Sequence, residues 1–357
     1  MTTSPENDTD PVFHPAPPAP PGGRDPKGLM NDPTPGHRPS RITCLGGGHG
    51  LYQTLLAARH CAPERITAVV TVADDGGSSG RIRRELGIIP PGDLRMALAA
   101  LSHDDETGRM WAQTLQHRFG GNGALAGHAV GNLLLAGLTD VLGSEQRALD
   151  TVAQLTGSHG RVLPVCNEPL DIEAEVAGLD DDPRIMRPVR GQVAVATTPG
   201  AVRRVRLIPE HPPAGPEALE AIGEADLVTL GPGSWFSSVI PHLLVPSIVD
   251  AVNGSDAQKV VVLNLSSEPG ETAGFTSERH VHMLTQHAPS LKIDRVLVDN
   301  HELPTARERR YLERAAQPLG AEIVFADLRE DDGDGGRSNR HDPSKLAAAL
   351  LAMYRGD

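Results

Sequence analysis

The sequence predicts an α/β fold, namely a Rossmann-like, mostly parallel sheet with helices on both faces and a small antiparallel β insertion. Short β-branched runs alternate with amphipathic segments in 41–160 and again in 210–357. Such alternation is typical of a parallel sheet that helices cover on both sides. Between these halves, 161–209 consists of short β-type runs, which indicate hairpins. We therefore predict one core, built from the two outer segments and interrupted by a small insertion.

Composition narrows the class of protein. The 357 residues include 33 Lys and Arg against 46 Asp and Glu, a formal net charge of −13. This balance argues against nucleic acid as a partner, because nucleic-acid binding relies on basic patches. The three cysteines form no C-x-x-C pair, and there is no signal peptide or run of about 20 apolar residues. We expect a cytoplasmic protein without disulfides and without a membrane span.

The first 40 residues form a proline-rich segment. They hold eleven of the 31 prolines and almost no periodic apolar residues. Such a segment cannot bury enough surface to offset the entropy of ordering it. We predict a disordered tail over 1–40.

The first strand–turn–helix unit carries a cluster of glycines. A strand at 42–45 is followed by the turn, a helix at 51–59 and a second strand at 66–72. The pattern is not the full G-x-G-x-x-G fingerprint, because Leu51 takes the last glycine position. Each glycine costs roughly 0.5–1 kcal/mol against alanine, so we expect the turn to bring backbone N–H groups to a nucleotide phosphate. His49 either points at this ligand or fills the turn. The predicted contacts are Gly46, Gly47, Gly48, His49 and Gly50.

A second glycine-rich loop, 74–81, ends the second strand. Successive strand side chains point to opposite faces, so we expect one of Asp74 and Asp75 to face the ligand and the other to tie the loop together. The carboxylate that faces the ligand would hold a hydroxyl or Mg²⁺, and the sequence leaves open which of the two it is. The backbone that follows is predicted to form an anion nest, with Gly76, Gly77, Ser78 and Ser79 as contacts.

Helices are predicted over the next sixty residues. Asp93 is placed to cap a helix that begins at Leu94, and Asp93 and Arg95 are either a cap and a surface charge or ligand contacts. Further helices are predicted at 106–118 and, after a Ser144 cap, towards residue 155.

The helix predicted to reach residue 142 carries a polar pair near its start. His128 and Asn132 lie four residues apart, on one helical face. They suit anion recognition at a helix N-terminus or form a buried, hydrogen-bonded pair.

Short runs at 162–164, 170–176, 192–197 and 202–208 have a β pattern. Pro199-Gly200 joins the last two of them, and so short a join predicts a hairpin. These runs form the predicted insertion.

The alternation resumes in the C-terminal half. A buried strand at 226–230 runs into Gly231-Pro232-Gly233-Ser234, and a strand at 260–263 ends near Asn264. Ligands of open α/β sheets bind at this edge of the sheet, so the predicted contacts here are Gly231, Gly233, Ser234 and Asn264. Strands at 293–298 and 323–325, a polar loop at 331–342 and a final helix at 343–354 complete the chain.

Other chemistries lack their motifs. His280, His282 and His287 do not share one helical face, and no cysteine or carboxylate completes a zinc site. There is neither a G-x-S-x-G sequence nor a Walker A lysine. The hydrolase and P-loop classes are therefore disfavoured.

Four long motifs carry a resemblance to a known family. They are ITAVVTVADDGGSSGRIRRELGIIPPGDLR, GHAVGNLLLAGL, ADLVTLGPGSWFSSVIPHLLV and NLSSEPGET. With them the chain, from residue 42 to 354, closely resembles the YvcK/CofD-like family. One branch of that family is the Mg²⁺-dependent phospholactate transferase of deazaflavin coenzyme synthesis. The other is the YvcK branch of gluconeogenesis factors, which bind nucleotide sugars such as UDP-N-acetylglucosamine and support cell shape and wall synthesis. The forms DDGGSSGR and PPGDLR look like the YvcK branch.

The resemblance implies further contacts for a UDP-sugar, Tyr311 and Arg340, besides the glycine loops and the acidic pair. The sequence also departs from the family pattern. His49 stands where threonine is usual, Trp235-Phe236 replaces Leu-Tyr, and Pro343 replaces a threonine that is a kinase target in some members. Phosphorylation is thus not expected at position 343.

We therefore expect a UDP-sugar-binding regulatory factor for cell-wall morphogenesis during gluconeogenic growth. This binding needs no catalytic residue and no cofactor. We also expect a homo-oligomer with a cell-wall regulatory protein as partner. The first alternative is a transferase that uses Mg²⁺ on Asp74 or Asp75, a nucleotide-activated phospholactate donor and a deazaflavin acceptor. The second is an NAD(P)-binding oxidoreductase, which the incomplete glycine fingerprint disfavours.

Overall fold

The computed structural model describes residues 38–182, 184–268, 271–300, 305–331 and 337–356. The chain divides into two units, 1–36 and 37–357, and all of the described residues belong to the second. The tail predicted to be disordered lies outside them except for its last three residues.

One seven-stranded sheet forms the centre of the fold. Its strand order is β10-β9-β8-β7-β1-β2-β3, and every neighbouring pair is parallel. The strands are β1 (Arg41–Gly46), β2 (Arg65–Val70), β3 (Gly160–Pro164), β7 (Leu227–Leu230), β8 (Gln258–Val262), β9 (Arg295–Asp299) and β10 (Glu322–Ala326). The predicted Rossmann-like fold is confirmed.

The helices alternate with these strands. Those before the insertion are α1 (Gly48–His60), α2 (Gly77–Leu86), α3 (Pro91–Leu101), α4 (Glu106–Gln116), α5 (Val130–Leu142) and α6 (Glu145–Leu155). Those after it are α8 (Pro216–Gly223), a π-helical turn (Trp235–Val239), α9 (Ile240–Leu243), α10 (Pro246–Gly254), α11 (Ser277–His287), α12 (Ala306–Ala316), a 3₁₀ turn (Gln317–Leu319) and α13 (Pro343–Arg355).

The central strands are buried because helices cover both faces of the sheet. All four residues of β7 and five of the six in β1 are buried. Their apolar side chains, with those of the helices, form one continuous core. A continuous apolar run such as Leu227–Leu230 is typical of parallel strands of this kind, which is why the sequence pattern identified them.

The insertion is a three-stranded antiparallel sheet of order β5-β4-β6. Its strands are β4 (Asp171–Ala177), β5 (Met186–Arg190) and β6 (Ala201–Ile208). Two expectations change. The strand predicted at 192–197 is wrong, because Gln192–Ala196 forms a short helix, α7, after Gly191 at φ 99°. The run at 162–164 belongs to β3, which pairs in parallel with β2 in the main sheet.

Three predicted boundaries also move. Helix α2 begins at Gly77, so only the first residues of the predicted loop 74–81 are loop. Helix α3 begins at Pro91, so Asp93 lies in its first turn instead of capping it. The predicted polar loop at 331–342 contains β12 (Arg337–His341), which pairs with β11 (Arg329–Asp331).

Among the described residues, no single helix has the length and apolar character to cross a membrane. Two consecutive helical segments, Trp235–Leu243 and Pro246–Gly254, are together long and apolar enough to span a membrane, by length and composition only. Their axes are bent by 69° at the break between them.

Candidate functional site

Strand β1 is the point in the sheet from which later strands are added first on one side and then on the other. Strands β2 and β3 follow on one side of it, and β7 to β10 on the other. Open α/β sheets bind their ligands at such a switch point, beyond the carboxyl ends of the strands. The predicted glycine loops after β1 and β7 both lie there.

These two glycine loops touch through their backbones. A Cβ atom on Gly50 would lie 2.1 Å from the carbonyl oxygen of Pro232 and 2.6 Å from Cα of Gly233. Glycine at position 50 is therefore required by the packing of one loop on the other. Gly48 has φ 57° and only an Asp93 oxygen, 3.9 Å away, near its Cβ position, so its glycine is required by its conformation. Between them lies His49, exposed in the first turn of α1.

Asp93 lies against the first glycine loop. Its carboxylate accepts a hydrogen bond from the amide of Gly48, and a Cβ on Gly47 would lie 2.4 Å from its Oδ2. Burial, and then the charge of Asp74, raise the pKa of Asp93 to about 7. The predicted ligand contact at Asp93 thus lies beside the loop, with a carboxyl group close to half-ionised at neutral pH.

Asp74 is held by its own loop. Its Oδ1 accepts from the amide of Gly76 at 2.9 Å and it bonds the Ser79 hydroxyl. Burial is the main cause that raises its pKa. Its Oδ2 lies 2.8 Å from the Cβ position of Gly92, next to Asp93. The two carboxylates therefore belong to one acidic pair at the strand ends.

Arg95 supplies the nearby positive charge. The side chain is 4% exposed, and its Nη1 donates to Gln116 Oε1 and to the carbonyl of Leu115. Burial and the neighbouring Arg118 lower its pKa to about 10, while the charges of the acidic pair act in the opposite direction. Arg95 remains a cation at neutral pH.

Asp75 faces away from this pair. Its Oδ1 accepts from the amide of Val193 at 3.0 Å, and its Oδ2 lies 2.4 Å from the Cβ position of Gly191. It holds the start of helix α7, and so ties the insertion to the loop after β2. Of the two aspartates left open by the sequence, Asp74 is the one beside Asp93.

Ser78 joins helix α2 to helix α5. Its Oγ accepts from the amide of Ala129 at 3.3 Å and from Asn132 Nδ2 at 3.0 Å. Its own proton is then directed to Nδ1 of His128, 3.0 Å away. Burial and Arg81 lower the pKa of His128. His128 and Asn132 are both buried, but each bonds Ser78 and not the other. The predicted shared helical face is wrong, because α5 begins at Val130 and His128 precedes it.

Ser79 makes the corresponding contact to helix α3. Its Oγ accepts from the amide of Gly92 at 2.9 Å. The two serines therefore satisfy amides at the start of two neighbouring helices, neither of which has a capping side chain at its own N-cap residue.

The loop after β7 has its backbone groups engaged. Asn264 accepts from the amide of Gly233 and donates to its carbonyl, both at 2.9 Å. Ser234 Oγ donates to Glu268 at 3.1 Å. Glu271 accepts from the amides of Phe236 and Ser237, the latter at 3.0 Å. The helix start predicted to cradle phosphate thus carries a carboxyl group of the chain itself.

Tyr311 lies on helix α12, and Arg340 lies on β12 of the two-stranded sheet. The Tyr311 hydroxyl accepts from Arg307 Nε at 3.0 Å, and its ring lies under Arg307 and Arg314. Arg340 is exposed on β12. Its charge acts on Tyr52 of helix α1, whose pKa is raised by burial and lowered in part by Arg59 and Arg340. The Arg340 guanidinium is therefore within electrostatic range of the helix that follows the first glycine loop.

A cleft of about 660 Å³ opens over the carboxyl ends of β8 and β9. Asn264 lines it, so the cleft begins beside the loop after β7. Its other walls include the first turn of α11, the end of β9 and helix α12. Of the described lining residues, Asn264 alone was predicted as a ligand contact, and His280 was considered for a zinc site. Asp299 was the available signal, since it ends a predicted parallel strand.

The residues at the glycine loops provide part of a ligand set for Mg²⁺. Asp74 and Asp93 supply carboxylate oxygens, the ligand type that Mg²⁺ prefers. Within the described part of the chain, no group of three or more His, Cys, Asp or Glu side chains is arranged to hold a metal. Mg²⁺ would therefore take its remaining ligands from phosphate and water.

Known proteins match most of the length of this chain. A family model described as 2-phospho-L-lactate transferase CofD matches residues 42–333. A putative gluconeogenesis factor of Mycobacterium leprae is 58% identical over 324 residues, covering 91% of this chain and 88% of that protein. The gluconeogenesis factor of Bacillus subtilis is 37% identical over 330 residues, covering 90% and 99%.

A solved structure has the same fold. The crystal structure of a UPF0052-family protein from Bacillus halodurans aligns with a TM-score of 0.76 at 35% identity. The alignment covers 87% of this chain and 99% of that one.

Proposed function

The chain belongs to the CofD family, among relatives named gluconeogenesis factors, and from this membership we propose that it binds a nucleotide sugar of the UDP-N-acetylglucosamine type. In this proposal it acts as a regulatory factor for cell shape and cell-wall morphogenesis during gluconeogenic growth. The observation that carries the proposal is the contact of two glycine loops at the switch point of the sheet, where Gly50 lies against Pro232 and Gly233.

The diphosphate would lie at the glycine loop after β1. The start of helix α1 offers backbone N–H groups and the positive end of the helix dipole. The exposed guanidinium of Arg340 on β12, whose charge acts on Tyr52 of helix α1, would pair with the phosphates in bidentate fashion. Tyr311 would contact the base or the sugar with its ring.

The acidic pair would have a different part in binding. A carboxylate beside a phosphate is repulsive unless a cation or a hydroxyl lies between them. Asp93 has a pKa of about 7, so a fraction of the molecules carries a protonated group there at neutral pH. We propose that Asp74 and Asp93 accept hydroxyl groups of the ligand, or hold Mg²⁺ against its phosphates.

Calorimetric titration tests the proposal. We expect saturable binding of UDP-N-acetylglucosamine in preference to GDP and NAD, without product formation. Arg340→Ala and Tyr311→Ala should each weaken this binding roughly tenfold, because a charge-assisted or aromatic contact is worth about 1–3 kcal/mol. Arg184→Ala is a matched control, since Arg184 is exposed in the insertion and pairs with Asp182. Unchanged affinity in both test variants would contradict the predicted contacts, and preferential binding of NAD would favour an oxidoreductase.

A transferase is the second candidate, and the pairing of Asp74 with Asp93 beside a glycine loop is the observation that favours it. The two carboxylates would hold Mg²⁺, which would neutralise phosphate charge while an acceptor hydroxyl attacks the activated donor. The test is release of nucleotide from a nucleotide-activated phospholactate donor, with Mg²⁺ and a deazaflavin acceptor. Release that Asp74→Asn abolishes would establish the transferase in place of the regulatory binder.

A further inference from the structure

The cleft over β8 and β9 begins beside the glycine loop that follows β7. Asn264 lines the cleft and also holds both backbone groups of Gly233, which in turn packs on Gly50. Neighbouring strands lie about 4.8 Å apart. The crevice between β1 and β7 and the cleft between β8 and β9 are therefore separated by two strand spacings, roughly 10 Å. If the diphosphate of a ligand lies at the glycine loops, a group attached to one end of that diphosphate would reach this cleft.

The charge of the cleft excludes the phosphates themselves. Its charged walls are Glu278, Asp299, Glu308 and Arg329. Arg329 is the single cation among the described lining residues, and it is committed to Asp299 Oδ1 at 2.9 Å and to the carbonyl of Leu265 at 2.6 Å. This pair cancels, so two carboxylates remain and repel a diphosphate.

The donors and acceptors of the cleft match a hydroxyl-rich ring. Glu278 is exposed in the first turn of α11, and Glu308 lies in the first turn of α12. Glu308 Oε2 accepts from the amide and the hydroxyl of Thr305, at 2.7 and 2.8 Å, and these bonds lower the pKa of the carboxyl group. The group is therefore ionised, and Oε1 is the oxygen that would accept from a ligand. Ser266 and Ser277 also line the cleft, and the Ser266 hydroxyl donates to Asn339 Oδ1 at 2.9 Å. A sugar ring offers several O–H donors to such a wall, whereas uracil offers one N–H donor and two carbonyl acceptors.

A buried imidazole lies behind this wall of the cleft. His280 is 4% exposed and lines the cleft. Its Nδ1 bonds the carbonyl of Thr276 at 2.9 Å, so the proton is on Nδ1 and Nε2 carries a lone pair. Burial lowers the pKa of His280 and keeps the ring neutral. Nε2 has no hydrogen-bond partner among the described residues and is itself closed off from solvent. The ring packs edge-on against Trp235 and Phe275, so His280 forms the back of the cleft and offers a ligand no acceptor.

We propose that this cleft is the subsite for the sugar ring of the nucleotide sugar, and that Glu278 and Glu308 accept its hydroxyl groups. The inference rests on the proposed function, because it assumes that the ligand is a nucleotide sugar. It assigns the sugar to β8 and β9, and leaves the nucleoside to the other side of the diphosphate.

Titrations with UDP-N-acetylglucosamine and with UDP test the assignment. Ser277→Trp fills the cleft, and Glu278→Gln with Glu308→Gln removes the negative acceptors. Glu308→Gln preserves the capping box of α12, because glutamine serves there as well as glutamate. We expect Ser277→Trp to weaken binding of the nucleotide sugar tenfold or more, to the level of UDP, and the double variant to weaken it roughly three- to tenfold. The affinity for UDP should change less than about twofold.

Matched controls lie in the first turn of helix α4. They are Thr107→Trp and Glu106→Gln, both at exposed positions, and both should bind the two ligands like the wild type. Retained UDP binding also shows that the cleft variants are folded.

Three results would overturn the assignment. Undiminished binding of the nucleotide sugar to Ser277→Trp would place the sugar elsewhere. Equal weakening of UDP and of the nucleotide sugar would place the nucleoside in the cleft. Failure of the wild type to bind any UDP-sugar would instead remove the proposed function, and the inference with it.

Discussion

Asn132 donates a hydrogen bond of 3.0 Å to Ser78 Oγ, and this contact joins the helix after β2 to helix α5. Both residues are buried. Because Ser78 also accepts from the amide of Ala129, one hydroxyl satisfies two donors beside the glycine loops. Ser78 of the glycine-rich loop thus holds helices α2 and α5 together.

Ser78→Ala should lower the free energy of unfolding by about 1–3 kcal/mol. The substitution leaves the Ala129 amide and Asn132 Nδ2 without their acceptor, and a buried unsatisfied donor costs about that much. Chemical denaturation at equilibrium measures the change. Ser290→Ala is the control, because Ser290 is exposed, and it should change stability by less than about 0.5 kcal/mol. Equal midpoints for the two variants would contradict the structural part of Ser78.

Asp75→Ala should loosen the insertion without unfolding the core. Asp75 bonds the amide of Val193, so its loss removes one charge-assisted hydrogen bond at the start of α7. We expect amide exchange in 191–197 to become at least about fivefold faster, which corresponds to roughly 1 kcal/mol of local stability. Hydrogen exchange read by mass spectrometry gives the rate for each peptide. Asp75→Asn keeps an acceptor oxygen and should exchange more slowly than Asp75→Ala; a protected segment in both variants would show that Asp75 does not hold it.

The parts of the fold that local patterns determine were predictable. Buried strands such as Leu227–Leu230 are continuous apolar runs, and Ser144 caps α6 through the amide of Arg147, as the residue types indicated. The glycine turn after β1 was predictable for the same reason, since only a local conformation and a close approach had to be recognised.

Contacts between residues distant in the sequence were not predictable. The alternating Val and Ala residues of 192–197 have a strand pattern, yet Asp75, 118 residues before Val193, holds this segment as a helix start. Likewise, Glu271 accepts from the amide of Phe236, 35 residues before it. No local pattern reports that a helix start is already occupied by a carboxyl group. Whether the predicted contacts bind a nucleotide stays a prediction.

Gly50→Ala should be far more damaging than a substitution at another helical glycine. The added Cβ would meet the backbone of Pro232 at 2.1 Å, and neither glycine loop can yield without moving its strand. We expect a loss of about 3 kcal/mol or more. Gly137→Ala is the matched control, because Gly137 lies within α5 with open space around its Cβ position. It should stabilise the protein by about 0.5–1 kcal/mol, and a Gly50→Ala protein as stable as the wild type would contradict the packing of the two loops.

Stability should fall as pH rises from about 4.5 to 7, in a way that depends on Glu271. Burial, and then the charge of Glu268, raise the pKa of the Glu271 carboxyl from 4.5 to about 7. The folded state therefore binds this proton more tightly than the unfolded chain. The stabilisation by this group is complete below about pH 4.5 and is lost as pH rises through about 7. A shift of this size corresponds to a change on the order of 3 kcal/mol in the free energy of unfolding.

Glu271→Gln removes this contribution together with its coupling to Glu268. Glutamine keeps an acceptor oxygen for the amides of Phe236 and Ser237 but does not titrate, so the variant should lose most of the decline. The buried carboxyl of Asp93, whose pKa is also about 7, contributes equally to both proteins and cancels in their difference. Denaturation curves at several pH values between about 4 and 8 measure that difference, with Glu106→Gln as the exposed control. Parallel pH profiles for wild type and Glu271→Gln would mean that the carboxyl group on this helix start is ionised in the folded protein throughout the range, and that the loop after β7 already tolerates a full negative charge where a phosphate was expected.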